Sequence, residues 1–149
     1  MARITAVRTI DAPVEKVFAV VGDVEQFKKA IPHIVKVEFL SETRKGVGTK
    51  FKETRRMGKR EAAAVLEVTE WVRNDRIRLV SDMHGTVWDS VFTVKPAGGG
   101  TELTLVMDAN AKNFFAKMMN ALIMGMIRKA LEKDMDAVKA HCEGGGPGA

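Results

Sequence analysis

The chain's 149 residues, 46% of them hydrophobic, fit one domain, and folding at this size buries roughly 68–70% of the surface an unfolded chain exposes. A lone cysteine, Cys142, can close no intramolecular disulfide, and Arg3, Arg8, Asp11, Glu15 and Lys16 interrupt the opening segment where a signal peptide would need an apolar core, so the expected location is cytoplasmic. The net charge of +5 gathers between Arg44 and Arg60, where eight basic residues accompany one acidic residue, Glu53; such an excess suits an anionic surface or acidic partner, or else a solvated hairpin with basic outer faces, and nucleic acid is not the expected partner.

Ile4, Ala6, Arg8 and Ile10 share one parity, a mixed alternation that predicts a first strand. Pro13 then falls at or near a first helical position, where its missing N–H costs nothing. Val14, Val17, Phe18 and Val21 follow at the spacing of an apolar helix stripe. Gly22 ends that helix, and Asp23 with Gln26 reads as the cap of a second short helix carrying Val24, Phe27 and Ile31, closed by Pro32.

From His33 to Ala111 turn signals recur at strand-length spacing: Lys45-Gly46-Val47-Gly48, Met57-Gly58-Lys59, Arg73-Asn74-Asp75, His84-Gly85 and Pro96-Ala97-Gly98-Gly99-Gly100. They predict strands at 34–42, 48–57, 60–71, 76–83, 86–95 and 101–110, an antiparallel meander. Within it Glu61 to Leu66 has helix propensity, and only its place between turns favours a strand.

The last element is helical from about Asn113 to His141. Phe115, Met119, Leu122, Met126 and Ala130 form its stripe, widened by Ile123, Ile127, Leu131 and Val138. Its most apolar part, Phe114 to Ile127, is interrupted by Lys117 and Asn120 and falls short of the roughly 20 residues that span a membrane. Gly125 is the expected place for a kink in so long a rod. Residues 143–149 carry no apolar anchor and are expected to be disordered, leaving one domain over 1–142.

A sheet with one apolar face must cover it, and the final helix is the only element long enough. The fold expected is therefore α+β: a seven-stranded curved antiparallel sheet gripping a long C-terminal helix, with two short helices after the first strand. Space left between sheet and helix would be a concave, mostly apolar site.

Strand parity assigns the faces of that space. Phe51, Glu53, Arg55 and Met57 share one side of their strand, with Lys50, Lys52, Thr54 and Arg56 on the wet side. Glu53 and Arg55 either contact a ligand's head group or pair with each other near a strand end. Leu79, Ser81 and Met83 point inward by the same rule, as do Trp88, Ser90, Phe92 and Val94, then Leu103, Leu105 and Met107. Five of the nine methionines lie on the long helix, where unbranched, polarizable side chains suit either an adaptable ligand roof or a flexible core. The expected ligand-binding set is Phe51, Glu53, Arg55, Met57, Met83, Trp88, Ser90, Met107, Phe115, Met119, Leu122 and Met126.

Catalytic signals are sparse. His33, His84 and His141 have no metal-ligand spacing, tyrosine is absent, Cys142 has no activating neighbour in sequence, and Gly46-Val47-Gly48 lacks the βαβ setting of a phosphate loop. No catalytic residue, metal or cofactor is expected.

Four stretches carry a resemblance to a known group: TIDAPVEKVFAVVGDVEQFKKAIPHI (9–34), GVGTKF (46–51), WDSVFTVKPAGGGTELTLVMDA (88–109) and the terminal helix. Together they resemble the START-like, helix-grip superfamily, also called SRPBCC, which includes lipid-transfer proteins and polyketide cyclase/dehydrase-like proteins. The resemblance implies the fold, and the Met-rich helix over an apolar sheet face makes the leading expectation a non-enzymatic carrier of a hydrophobic small molecule, such as a lipid, quinone, isoprenoid or polyketide-like compound. The alternative, which rests on the resemblance alone, is a cyclase or dehydratase working in the same cavity, to which Glu53, Arg55, Ser81 and Ser90 would contribute. A third possibility is a membrane- or partner-docking module using residues 44–60. Fold does not choose among them.

Overall fold

Ile4, Ala6 and Ile10 are buried along β1 (Ala2–Ile10) and alternate with exposed neighbours, as a strand with one wet face requires. The computed structural model describes residues 2–145. Pro13, with extended backbone angles, precedes α1 (Val14–Val21) as its cap, one position earlier than a first helical residue. α1 ends at Gly22, a position that requires glycine because the ring and carbonyl of Phe18 would stand 2.7 and 2.8 Å from a Cβ. The Asp23 carboxylate then accepts from the Glu25 and Gln26 N–H groups at 2.9 and 3.3 Å and starts α2 (Val24–Ala30), satisfying donors that a helix leaves unpaired.

β2 (Ile34–Phe39), β3 (Lys50–Met57), β4 (Arg60–Val72), β5 (Arg76–Met83), β6 (Thr86–Ala97) and β7 (Gly100–Ala111) form the expected meander. β1 adds to β7, giving the order β1-β7-β6-β5-β4-β3-β2. The two short helices thus carry the chain from one edge of the sheet to the other. β2 stops three residues short of the expected 42, and β3 starts two late. Between them Gly46 and Gly48 take φ of 83° and 93°, and the Ser41 hydroxyl accepts from the Lys50 N–H at 2.8 Å, drawing the loop into a built turn.

Helix propensity at Glu61–Leu66 loses to pairing, since the segment is matched residue for residue with Phe51–Arg56 of β3. β4 joins β5 only from Glu67 onward, with an irregularity between Val68 and Glu70, so the β3–β4 hairpin bends away from the β5–β6 hairpin. Such departures increase twist and curvature.

α3 (Phe114–Ala140) runs unbroken through Gly125 for 27 residues, roughly 40 Å at 1.5 Å per residue. Asn113 caps it, accepting from the Ala116 N–H at 2.8 Å. Asn120 donates to the Thr86 hydroxyl at 2.9 Å. Toward the far end Arg8 meets Asp136 at 2.6 Å, and Lys139 donates to the Thr9 carbonyl at 2.6 Å. The helix therefore crosses from the β5–β6 turn to β1.

Its buried arc is Ala116, Asn120, Leu131, Asp134, Met135 and Val138. The stripe expected to roof the cavity faces water instead: Phe115, Met119, Leu122 and Met126 are 68, 43, 76 and 58% exposed. The cause is the close approach at Gly85, where an added Cβ would stand 3.3 Å from the Ala116 Cβ. Only a small side chain fits there, and Ala116 fixes which side of the helix turns inward.

His141–Glu143 continue the chain past α3 up to Gly144, whose φ of 94° leaves the helical region. This extension buries Cys142 and lets Glu143 accept from the Asp11 N–H at 2.8 Å, although the sequence places the start of a loose tail at Glu143. The remaining tail residues, 146–149, lie outside the described residues.

Candidate functional site

The concave face of the sheet, α2 and the second half of α3 enclose a cavity. Its volume is about 90 Å³, several times the roughly 10–15 Å³ that one water needs. Val24 and Phe27 of α2 close one side, and Leu131 and Asp134 of α3 form the roof. Floor residues alternate along their strands as parity demands: Phe51, Glu53 and Arg55 on β3, Leu79 on β5, Phe92 on β6, Leu105 on β7. Phe27 meets Phe92 edge-on with centroids 5.7 Å apart, so the apolar end has rigid aromatic walls.

The opposite end is charged. Arg55 donates through Nε to Glu53 at 2.9 Å, and its Nη1 lies 2.8 Å from Asp134 Oδ2. The Asp134 side chain is only 5% exposed. Burial pushes its carboxyl above the usual range, with Glu53 adding to that, while Arg55 and His33 pull it down by a smaller amount. For Arg55 burial acts to lower the pKa, but Glu53 and Asp134 together outweigh it and hold the guanidinium charged. Two carboxylates thus share one cation in a nearly dry wall, and among the described residues Arg55 Nη2 makes no hydrogen bond.

Of the residues expected from sequence, Phe51, Glu53, Arg55, Ser90 and Met107 are brought together on this cavity. Met57 is half-exposed at the β3–β4 turn. Met83 and Trp88 are partly buried beyond the cavity, toward the β5–β6 turn. Phe115, Met119, Leu122 and Met126 stand on the outer side of α3, away from it. The charged residue that sequence reasoning missed is Asp134, and the apolar walls Phe27, Phe92 and Leu105 also lie outside the expected ligand-binding set. The signal for Asp134 was a lone carboxylate on the arc of Leu131, Met135 and Val138, where a charge must find a buried partner.

The cluster of basic residues between 44 and 60 is split. Arg44 stacks over Phe39 and Lys45 lies over Trp71 at the β2–β3 loop, whereas Lys59 and Arg60 flank the far turn. The eight residues of β3, roughly 26 Å at strand spacing, separate the two groups. Lys50 and Lys52 are exposed on the outer face between them.

A bent antiparallel sheet closed by a terminal helix over an apolar cavity with one charged end defines a helix-grip, START-like protein. The chain belongs to the family of "Polyketide cyclase / dehydrase and lipid transport", whose model matches residues 1–143. Similar solved structures include TTHA0849 from Thermus thermophilus, 19% identical, with 95% of this chain and 97% of that one covered and a TM-score of 0.76. A START superfamily protein from Mycobacterium smegmatis is 17% identical, covering 95% and 97%, at 0.75. The di-domain ARO/CYC StfQ from the steffimycin biosynthetic pathway is 10% identical, covering 95% of this chain and 50% of that one, at 0.77. No curated protein sequence is a significant match.

Proposed function

We propose that the protein binds a hydrophobic small molecule carrying at least one hydrogen-bond acceptor, with its apolar body between the Phe27–Phe92 wall and Leu105 and its acceptor at Arg55. The classes that fit are a lipid, quinone, isoprenoid or polyketide-like compound. The single observation that carries this reading is the union of an open apolar cavity with a partly buried guanidinium that keeps N–H donors spare. Removing apolar surface from water would supply about 25 cal/mol per Å² before ordering costs, and Arg55 would set the orientation. Mass spectrometry of the organic extract of purified protein tests it. A stoichiometric apolar compound is expected in the wild type and a reduced amount in Arg55→Met; an extract with no bound compound, from protein that also takes up none on incubation, would contradict it.

A second reading rests on Asp134. A carboxyl whose pKa is raised by burial, lining a cavity beside a fixed cation, has the properties of a general acid or base, and it favours cyclase or dehydratase chemistry on a poly-β-keto chain. Loss of turnover in Asp134→Asn with ligand uptake intact would support it. Return of such substrates unchanged by the wild type would count against it.

A further inference from the structure

We propose that the outer face of the first half of α3, continued by the β3–β4 turn, docks on an anionic lipid surface. Phe114, Phe115, Met118, Met119, Leu122 and Met126 are all exposed there, although burying each such side chain is worth roughly 1.5–3 kcal/mol. Contiguous exposed apolar area of this kind marks an interaction site.

The charges around the face say what covers it. Between Asp108 and Glu132 there is no acidic residue, while Lys112, Lys117, Arg128 and Lys129 are basic. Lys112 is engaged by Asp82 at 2.6 Å, but among the described residues Lys117, Arg128 and Lys129 make no ion pair. The β3–β4 turn extends the surface: exposed Met57 and Gly58 share a hollow with Ala130 and Lys133 of α3, and Lys59 and Arg60 flank it, also without ion-pair partners among the described residues. The acidic residues at its margins, Asp82 and Glu61, are each paired with a cation, Lys112 and Arg56, so an apolar stripe whose unpaired border charges are mainly basic matches a helix lying in the headgroup layer of an anionic membrane. A second copy packed on the same face by two-fold symmetry would set these cations against each other. Among the described residues no helix is long and apolar enough to cross a membrane, so the helix would lie on the surface.

Arg55 and Asp134 line both this hollow and the ligand cavity. Docking would therefore bring the polar end of the cavity to the headgroup level. That last step rests on the carrier reading; the docking itself does not.

Cosedimentation with vesicles tests the proposal, comparing phosphatidylcholine alone with phosphatidylcholine containing phosphatidylglycerol. The wild type should bind the anionic vesicles and release them at high salt. Phe115→Glu/Leu122→Glu should bind at least roughly tenfold more weakly, with unchanged thermal stability because both positions are exposed. Lys117→Glu/Lys129→Glu should lose the salt-sensitive part alone. The proposal is overturned if the wild type ignores both vesicles or the Phe115/Leu122 variant binds like it. It is likewise overturned by a dimer that those substitutions dissociate. Vesicle binding by a protein that takes up no apolar fluorophore would support docking and overturn the carrier reading instead.

Discussion

Arg55 of β3 and Asp134 of α3 meet at 2.8 Å although 79 residues separate them in sequence, and with Glu53 they form the charged wall of the cavity. Removing one member of such a group strands the others. Arg55→Met should destabilise the protein by about 3–5 kcal/mol at neutral pH, since two carboxylates would then stand unpaired in a nearly dry wall. Burial would then act on the Asp134 carboxyl without Arg55 to oppose it, holding its folded-state pKa above the unfolded one, so the penalty is fully present at pH above the folded value and is relieved as pH falls through it. Urea unfolding of the variant at neutral and mildly acidic pH should show stability recovered on the acid side relative to wild type. Asp134→Asn should cost less, because Arg55 keeps Glu53.

Cys142 lies against the core as a neutral thiol, and burial pushes its pKa up to about 11. It should resist alkylation in the native protein and react readily once unfolded. The unfolded thiol ionises near about 8.5. Stability is therefore unaffected below that pH and falls above it, by up to about 1.4 kcal/mol per pH unit, until the folded thiol itself ionises. The difference between wild type and Cys142→Ala in unfolding experiments across this range isolates the effect.

Trp71 donates its indole N–H to the Gly22 carbonyl at 2.9 Å and packs on Phe18 with centroids 5.4 Å apart. The join between α1 and α2 is thereby fixed to β4. Gly22→Ala should cost about 1–3 kcal/mol, since the new methyl would overlap Phe18. Trp71→Phe should cost about 1 kcal/mol or more through the lost hydrogen bond and contact area. Thermal unfolding of each variant measures both.

Most of the fold can be read in the sequence because its signals are local. The period-two pattern of Phe51, Glu53 and Arg55, the cap at Asp23 and the turn glycines each specify a short piece of backbone, and the meander follows from short connections. The site is legible where parity suffices, as on β3, at Ser90 and at Met107. It is not legible on α3. The first half of that helix carries two apolar arcs, and the larger one, with Phe115, Met119, Leu122 and Met126, is the one left in water. The choice depends on the contact of Ala116 with the turn at Gly85, a tertiary fact absent from helical periodicity. Asp134 is hidden for the same reason: its partner Arg55 is known only once helix and sheet are docked.

The most direct measurement is titration with an apolar fluorophore such as N-phenyl-1-naphthylamine, comparing wild type with Ser90→Phe, in which a phenyl ring is built into the cavity floor. Saturable one-to-one uptake by the wild type, lost in a Ser90→Phe protein that keeps its secondary structure, is the outcome predicted. An unresponsive wild type, or a folded Ser90→Phe protein that binds equally well, would contradict the cavity as the binding site.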